Sequence, residues 1–263
     1  VEIAQYLSFK DAVSTFPINI FYLLSRNQSI VQLINPWDPI IETVLSKINS
    51  NQIRSIEWNG DQKYDNDSLK FVSKFKNTNS ITFRNLRKTA LETYHSELYF
   101  SSLMRICLYF DNQIDYYFII LMFYDFQKIR YLEINCPGLF YSKRADSELK
   151  KVPVQTRIEY FLLDLRRIES VPSNYYIPMA GLMRYMRNIQ YIRIKIKSHD
   201  FQILLSDEQW KEGIRQCLHL KKIIIEAYNH TPEMKKYLLW KTQDMKKLLH
   251  PIRDKIQFRI VLL

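Results

Sequence analysis

The sequence predicts an α/β fold, a solenoid of stacked strand–helix units with parallel strands on the concave face and helices on the convex face. A short all-helical segment precedes it. Two observations carry this. One apolar frame, h-x-x-h-x-h, recurs along the chain. The pieces between its copies read as amphipathic helices.

The frame is plainest at IRYLEINCP, where Ile129, Leu132 and Ile134 are apolar and Arg130, Tyr131 and Glu133 are polar. It recurs at Ile53/Ile56/Trp58, Leu103/Ile106/Leu108, Ile158/Phe161/Leu163, Ile189/Ile192/Ile194 and Leu220/Ile223/Ile225. Two copies lack the first apolar residue: Thr78/Ile81/Phe83 and Arg253/Ile256/Phe258. The second apolar positions, 56, 81, 106, 132, 161, 192, 223 and 256, are 25, 25, 26, 29, 31, 31 and 33 residues apart. A period in this range marks one structural unit that buries its apolar face only against its neighbours.

The intervening segments carry helical signals. Asp65 to Phe75 places Leu69, Val72 and Phe75 on one face. Ser206 to Leu220 opens with a capping box, Ser206 with Gln209, and aligns Trp210, Ile214, Cys217 and Leu218. Thr231-Pro232-Glu233 combines a cap, a proline at the first helical position and an acid at the positive end of the dipole, opening a helix to about Lys247. A helix is expected over Asn174 to Asn188, with Pro178 interfering in its first turns. The apolar run Tyr116 to Tyr124 reads as a buried helix, too short to cross a bilayer. Gly138 to Pro153 is polar, lacks the frame and reads as a loop.

Composition excludes several function classes. The four glycines, Gly60, Gly138, Gly181 and Gly213, are far apart, which rules out phosphate loops and dinucleotide fingerprints. The three cysteines are few and widely spaced, which fits a reducing compartment and core roles. No catalytic or metal-ligating constellation stands out among the five histidines, so no enzyme activity, cofactor or metal is expected. The net charge of +11 is lopsided. Val1 to Lys150 holds 17 basic and 16 acidic residues, Lys151 to Leu263 holds 21 and 11. Such asymmetry marks either a solvated basic surface or an anionic partner.

The frame and period resemble the leucine-rich repeat in its longer strand–helix form, with degenerate copies over residues 50 to 263. The Asn usual after the frame is missing, and Ile, Phe and Trp often replace Leu. Residues 1 to 49 resemble an F-box. Glu2-Ile3, the helix ending Tyr6-Leu7, the connector Ser8-Phe9-Lys10 and then Asp11-Ala12-Val13 match the middle of that motif, whose opening Leu-Pro is expected upstream of Val1. This implies a substrate-recognition adaptor of a cullin-type ubiquitin ligase, cytoplasmic or nuclear, with no membrane association. Ile3, Tyr6, Leu7, Phe9 and Val13 would contact a Skp-family adaptor, and the repeats would hold a protein substrate.

The substrate face is expected on residues between the apolar positions, which point away from the helices. Candidates are Tyr131, Glu133, Tyr160, Arg166, Tyr191, Arg193, Lys195, Lys197 and Tyr228, since Tyr and Arg are frequent at binding hot spots. Cys107, Leu162, Asp164 and Glu226 fall on the same face. The later rungs read as mainly basic, and Arg193-x-Lys195-x-Lys197 suggests an acidic or phosphorylated segment as partner. A repeat scaffold with no ubiquitin link is the alternative, and RNA or DNA binding a lesser one, since no nucleic-acid motif accompanies the pI near 9.4.

Overall fold

Among the described residues, successive main strands within each unit pair in parallel, and each such pair requires a crossover segment. The computed structural model describes residues 32–34, 54–59, 77–86, 103–115, 118–119, 128–140, 157–166, 179–197, 207–228, 231–250 and 256–263. It divides into two compact units, Val1–Tyr109 and Phe110–Leu263.

In the first unit, β1 (Gln32–Ile34), β2 (Ser55–Asn59) and β3 (Ser80–Leu86) lie side by side in chain order. Leu33 is in register with Ile56, and Ile56 with Ile81. The carbonyl of Arg54 accepts from the amides of Asn79 and Ser80. One unit further on, the carbonyl of Asn79 accepts from Met104 and Arg105, at the start of β4 (Arg105–Phe110). The frame residues Ile56, Ile81, Phe83, Leu103, Ile106 and Leu108 are all buried. Cys107, expected on the open face, is buried too.

The segment 1–49, expected to be all-helical, contains β1. This strand extends the parallel pairing one step before the first frame read from the sequence. A three-residue strand with one central apolar side chain leaves too little periodicity to detect. Ile3, Tyr6, Leu7, Phe9 and Val13 lie outside the described residues.

In the second unit, β6 (Tyr131–Asn135), β8 (Tyr160–Asp164), β9 (Tyr191–Lys197), β10 (Lys222–Tyr228) and β11 (Gln257–Leu262) are parallel and follow chain order. β5 (Ile114–Asp115) and β7 (Leu139–Phe140) form a separate parallel pair, with the Ile114 amide donating to the Gly138 carbonyl at 3.0 Å. Leu139–Phe140 therefore corrects the expectation of a loop starting at Gly138. Phe118 and Ile119, within the expected buried helix, are helical and buried, and Phe118 meets Phe110 edge-on.

Three crossover helices are described: α1 (Met179–Tyr185), α2 (Asp207–Gln216) and α3 (Pro232–Leu249). The expected start of α1 at Asn174 and the residue Pro178 lie outside the described residues. α2 packs on α1, and α3 on α2 and β11. Parallel crossovers take one hand, so stepping always to the next strand in the same direction keeps the helices on one side.

The turn from helix to strand is itself repeated. The Met186 amide donates to Met183 and that of Ile189 to Met186; 31 residues on, Cys217 donates to Ile214 and Leu220 to Cys217. The Cys217 thiol links the two copies by donating to the carbonyls of Met183 and Met186, at 3.6 and 3.8 Å. α3 carries the expected cap, Thr231 Oγ1 accepting from the Met234 amide at 3.2 Å, with Pro232 at the start and Lys246 and Lys247 in the last turn.

β9 shows why these residues form strands. YIRIKIK alternates, with Ile192, Ile194 and Ile196 buried toward the helices. Each buried isoleucine contributes about 1.5–3 kcal/mol relative to an exposed one, and β-branching suits the pleat. The same register corrects the last frame. Ile223 is opposite Phe258 and Ile225 opposite Ile260, so the copy starts two residues later than Arg253/Ile256/Phe258. A slip of two keeps every side chain on its own face, which is why alternation could not reveal it.

Two expectations follow from this core. Among the described residues, Trp210 is the largest of the fully buried side chains. Trp210→Ala should lower the unfolding free energy in urea by about 3–5 kcal/mol. All three cysteines are free and buried, and burial pushes the Cys136 thiol up to about 12. A thiolate-seeking reagent such as Ellman's should therefore label none of them rapidly in the native chain and all of them in denaturant.

Candidate binding face of the sheet

The face of the second unit's sheet that points away from the helices is built in register rows, because equal frame positions lie opposite one another. The first row is Tyr131, Tyr160, Tyr191, Lys222 and Gln257. Its tyrosines stack. Tyr131 and Tyr160 have ring centroids 6.3 Å apart, and Tyr160 and Tyr191 stack nearly parallel at 4.7 Å. Offset stacks at such separations contribute about 0.5–1.5 kcal/mol per pair beyond area burial. Tyr160, at the middle, is 40% exposed. The Tyr131 hydroxyl donates to Glu133 Oε2 at 3.0 Å.

The next row is Glu133, Leu162, Arg193, Ile224 and Arg259. Leu162, expected to be open to a partner, is buried. The row after it is Asn135, Asp164, Lys195 and Glu226, so Lys195 stands between two carboxylates. Asp164 and Glu226 are 3% and 5% exposed, and each is held by arginine. Arg166 grips Asp164 with both prongs, at 2.9 Å from Nε and 2.7 Å from one terminal nitrogen. Lys195 Nζ lies 3.7 Å from the same carboxylate. Arg193 forks onto Glu226 Oε1, and the Tyr228 hydroxyl donates to Glu226 Oε2 at 3.1 Å. The Arg166 guanidinium then lies 4.8 Å over the Tyr228 ring.

These contacts form a chain running Lys195, Asp164, Arg166, Tyr228, Glu226, Arg193. On the rungs expected to be mainly basic, Arg193 and Lys195 are thus set against carboxylates. A buried carboxylate is costly to leave unpaired, so the guanidiniums are held to neutralise it. The carboxylate of Asp164 holds Arg166 above its ordinary arginine pKa. Burial, and then the hydrogen bond to Glu226, raise the Tyr228 phenol above its usual value. Asn135 adds a cost: its Oδ1 is buried with no hydrogen-bond partner among the described residues, worth about 1–3 kcal/mol.

The first unit repeats the theme on its own strands. Arg84 pairs with Glu57 at 2.5 Å, and its guanidinium lies 4.7 Å over the Tyr109 ring.

All nine candidate substrate residues thus lie on or beside the strands at non-core positions. The tyrosines at 131, 160 and 191 come together as one row, and Arg166, Arg193, Lys195 and Tyr228 as one network. Asp164 and Glu226 carry that network, and what could have singled them out is their shared offset in the frame: each lies three residues after the second apolar position, as Lys195 does.

Among the described residues, no group of three or more His, Cys, Asp or Glu could hold a metal ion, and no helix is long and apolar enough to cross a membrane. No family model matches the chain, and no curated protein matches it.

Stability should depend on alkaline pH through this network. The native Tyr228 phenol keeps its proton at a pH where an unfolded tyrosine, near 10, has lost it. Unfolding therefore releases protons there, and stability falls as pH rises above that value. Tyr185, raised by burial, acts in the same direction, and so does Cys136 from lower pH. Urea midpoints between about pH 8 and 11 should fall with pH, and Tyr228→Phe should make the fall shallower without abolishing it.

Proposed function

We propose that the chain is the substrate-recognition adaptor of a cullin-type ubiquitin ligase, a leucine-rich-repeat-like solenoid preceded by an F-box-like helical segment. In this reading Ile3, Tyr6, Leu7, Phe9 and Val13 bury apolar surface against a Skp-family adaptor. The open face of the sheet holds a protein substrate, and the protein works in the cytoplasm or nucleus.

The observation that carries the substrate half is the order of the sheet. Parallel strands at the repeat period present successive rows of side chains at one spacing, a surface suited to an extended or folded protein partner. Its rows are rich in Tyr and Arg held by neighbours, so little side-chain entropy is lost when a partner docks. The adaptor half rests on the Glu2 to Val13 motif and on its position ahead of the repeats.

The test is an affinity measurement between a Skp-family adaptor and the chain extended upstream of Val1. Binding is expected, and Leu7→Asp should weaken it by more than about tenfold, because a carboxylate would enter an apolar interface. A folded protein that does not bind the adaptor would leave the repeats as a protein-binding scaffold with no ubiquitin link.

A further inference from the structure

Arg166, Arg193 and Lys195 on the sheet face are paired with carboxylates, yet the second unit carries most of the chain's excess positive charge. Part of it gathers at the edge where the strands begin. Just before each strand run two rows of side chains. One holds Lys128, Arg157, Asn188 and His219, the residues preceding each frame. The other holds Arg130, Glu159, Gln190 and Lys221, the residues following its first apolar position. The backbone fixes the second row, because the carbonyls of Arg130, Glu159 and Gln190 each accept two amides from the next unit.

A cavity of about 280 Å³ opens there, lined by Arg130, Arg157, Glu159, Asn188, Gln190 and His219. That is far more than the ~30 Å³ a water molecule takes. Its polar groups are already sorted by their neighbours. Glu159, the carboxylate among the described lining residues, lies 3.6 Å from Arg130. Gln190 Oε1 accepts from Lys221 Nζ at 2.9 Å, which leaves the amide nitrogen of Gln190 as its remaining donor. Arg157 and His219 are exposed and have no ion pair among the described residues. Among the described lining residues, donors therefore outnumber free acceptors, with the exposed Arg157 guanidinium and His219 imidazole set beside a carboxylate that Arg130 already partners.

We infer that this strand-entry cavity is an oxyanion site that takes a phosphomonoester group, with Arg157 and His219 as its principal donors. A phosphomonoester brings about two negative charges and three acceptor oxygens, which answers the surplus of donors. A guanidinium fork matches two of those oxygens at once. The row beside the cavity begins the tyrosine stack, since Tyr131, Tyr160 and Tyr191 directly follow Arg130, Glu159 and Gln190. A phosphorylated side chain held at the edge would leave its own backbone next to that stack. The site stands on this geometry whether or not the chain serves a ubiquitin ligase.

The test is calorimetric titration of the full chain with O-phospho-L-serine at low ionic strength, with L-serine as control. Saturable binding at about millimolar concentration is expected for the phosphorylated compound and none for serine. Arg157→Glu and His219→Glu should each weaken it by about tenfold or more, the effect of a lost charge-assisted hydrogen bond. Arg157→Gln should weaken it less, in the same direction. Lys236→Glu, the same charge change on an exposed position of α3, should change it by less than about twofold. Both cavity side chains are exposed, so circular dichroism should show each variant folded. A phosphoserine peptide that binds more tightly than the free compound would make the ligand a partner segment; equal affinity would make it a small phosphorylated compound. Two results would overturn the inference: no saturable binding by the unmodified chain, or an equal loss with Lys236→Glu, which would reduce the effect to diffuse attraction.

Discussion

A parallel strand pair cannot be closed by a tight turn, and nearly everything described in this chain depends on that. Each strand must be left by a segment that travels back to the starting end before the next begins. When every return steps to the same side, equal positions of successive repeats become neighbours. Ile192 therefore stands in register with its counterparts Phe161 and Ile223. Register propagates through a repeated detail, the carbonyl that accepts two amides of the following unit, seen at Arg54, Asn79, Arg130, Glu159 and Gln190. Such an arrangement is stable only as a stack, because a single strand and helix have nothing to bury against.

The same stacking explains the charge pattern. When equal positions meet, any residue type repeated at one offset forms a line of like side chains. For tyrosine this is favourable, and the offset that opens β6, β8 and β9 gives a row of stacked rings. For lysine and arginine it would be repulsive. At the offset of Lys195 the neighbouring repeats supply Asp164 and Glu226 instead, and the guanidiniums of Arg166 and Arg193 close on these carboxylates. Arg84 between Glu57 and Tyr109 is a smaller case of the same solution. These pairs are partly exposed on the arginine side and worth modest energy individually. Their larger effect is to hold long side chains in one arrangement on a face that would otherwise be mobile.

Much of this was legible in the sequence, and the misses have physical causes. The frame located β2, β3, β4, β6, β8, β9 and β10, because buried positions three and then two apart leave a strong signal in Ile and Leu. The cap at Thr231 was legible because its chemistry is local. β1 was missed, since three residues hold too little pattern. β11 was placed two residues early, because period-2 alternation is blind to even slips. Leu162 falls on the open face by alternation yet is covered, and Cys107, on that face by alternation, is buried as its core role implies. Alternation reports which face a residue is on, not whether that face is packed. The adaptor-contact residues from Ile3 to Val13 rest on a motif alone.

The mismatch between charge count and free charge has a consequence for partner choice. A sequence tally treats Arg193, Lys195 and Lys197 as a stripe that would attract any polyanion. Asp164 and Glu226 set among them hold Arg166, Arg193 and Lys195 in ion pairs, which lowers the pull of that stretch on an anion without shape. A partner on that face must satisfy tyrosine edges and oriented ion pairs, which demands complementary geometry. At the strand-entry edge the exposed Arg157 and His219 stand beside a carboxylate that Arg130 already partners, so an anion would meet donors there. One chain thus divides its basic residues between two tasks. Those opposite buried acids stiffen the sheet face, and those at the edge remain available to a charged ligand.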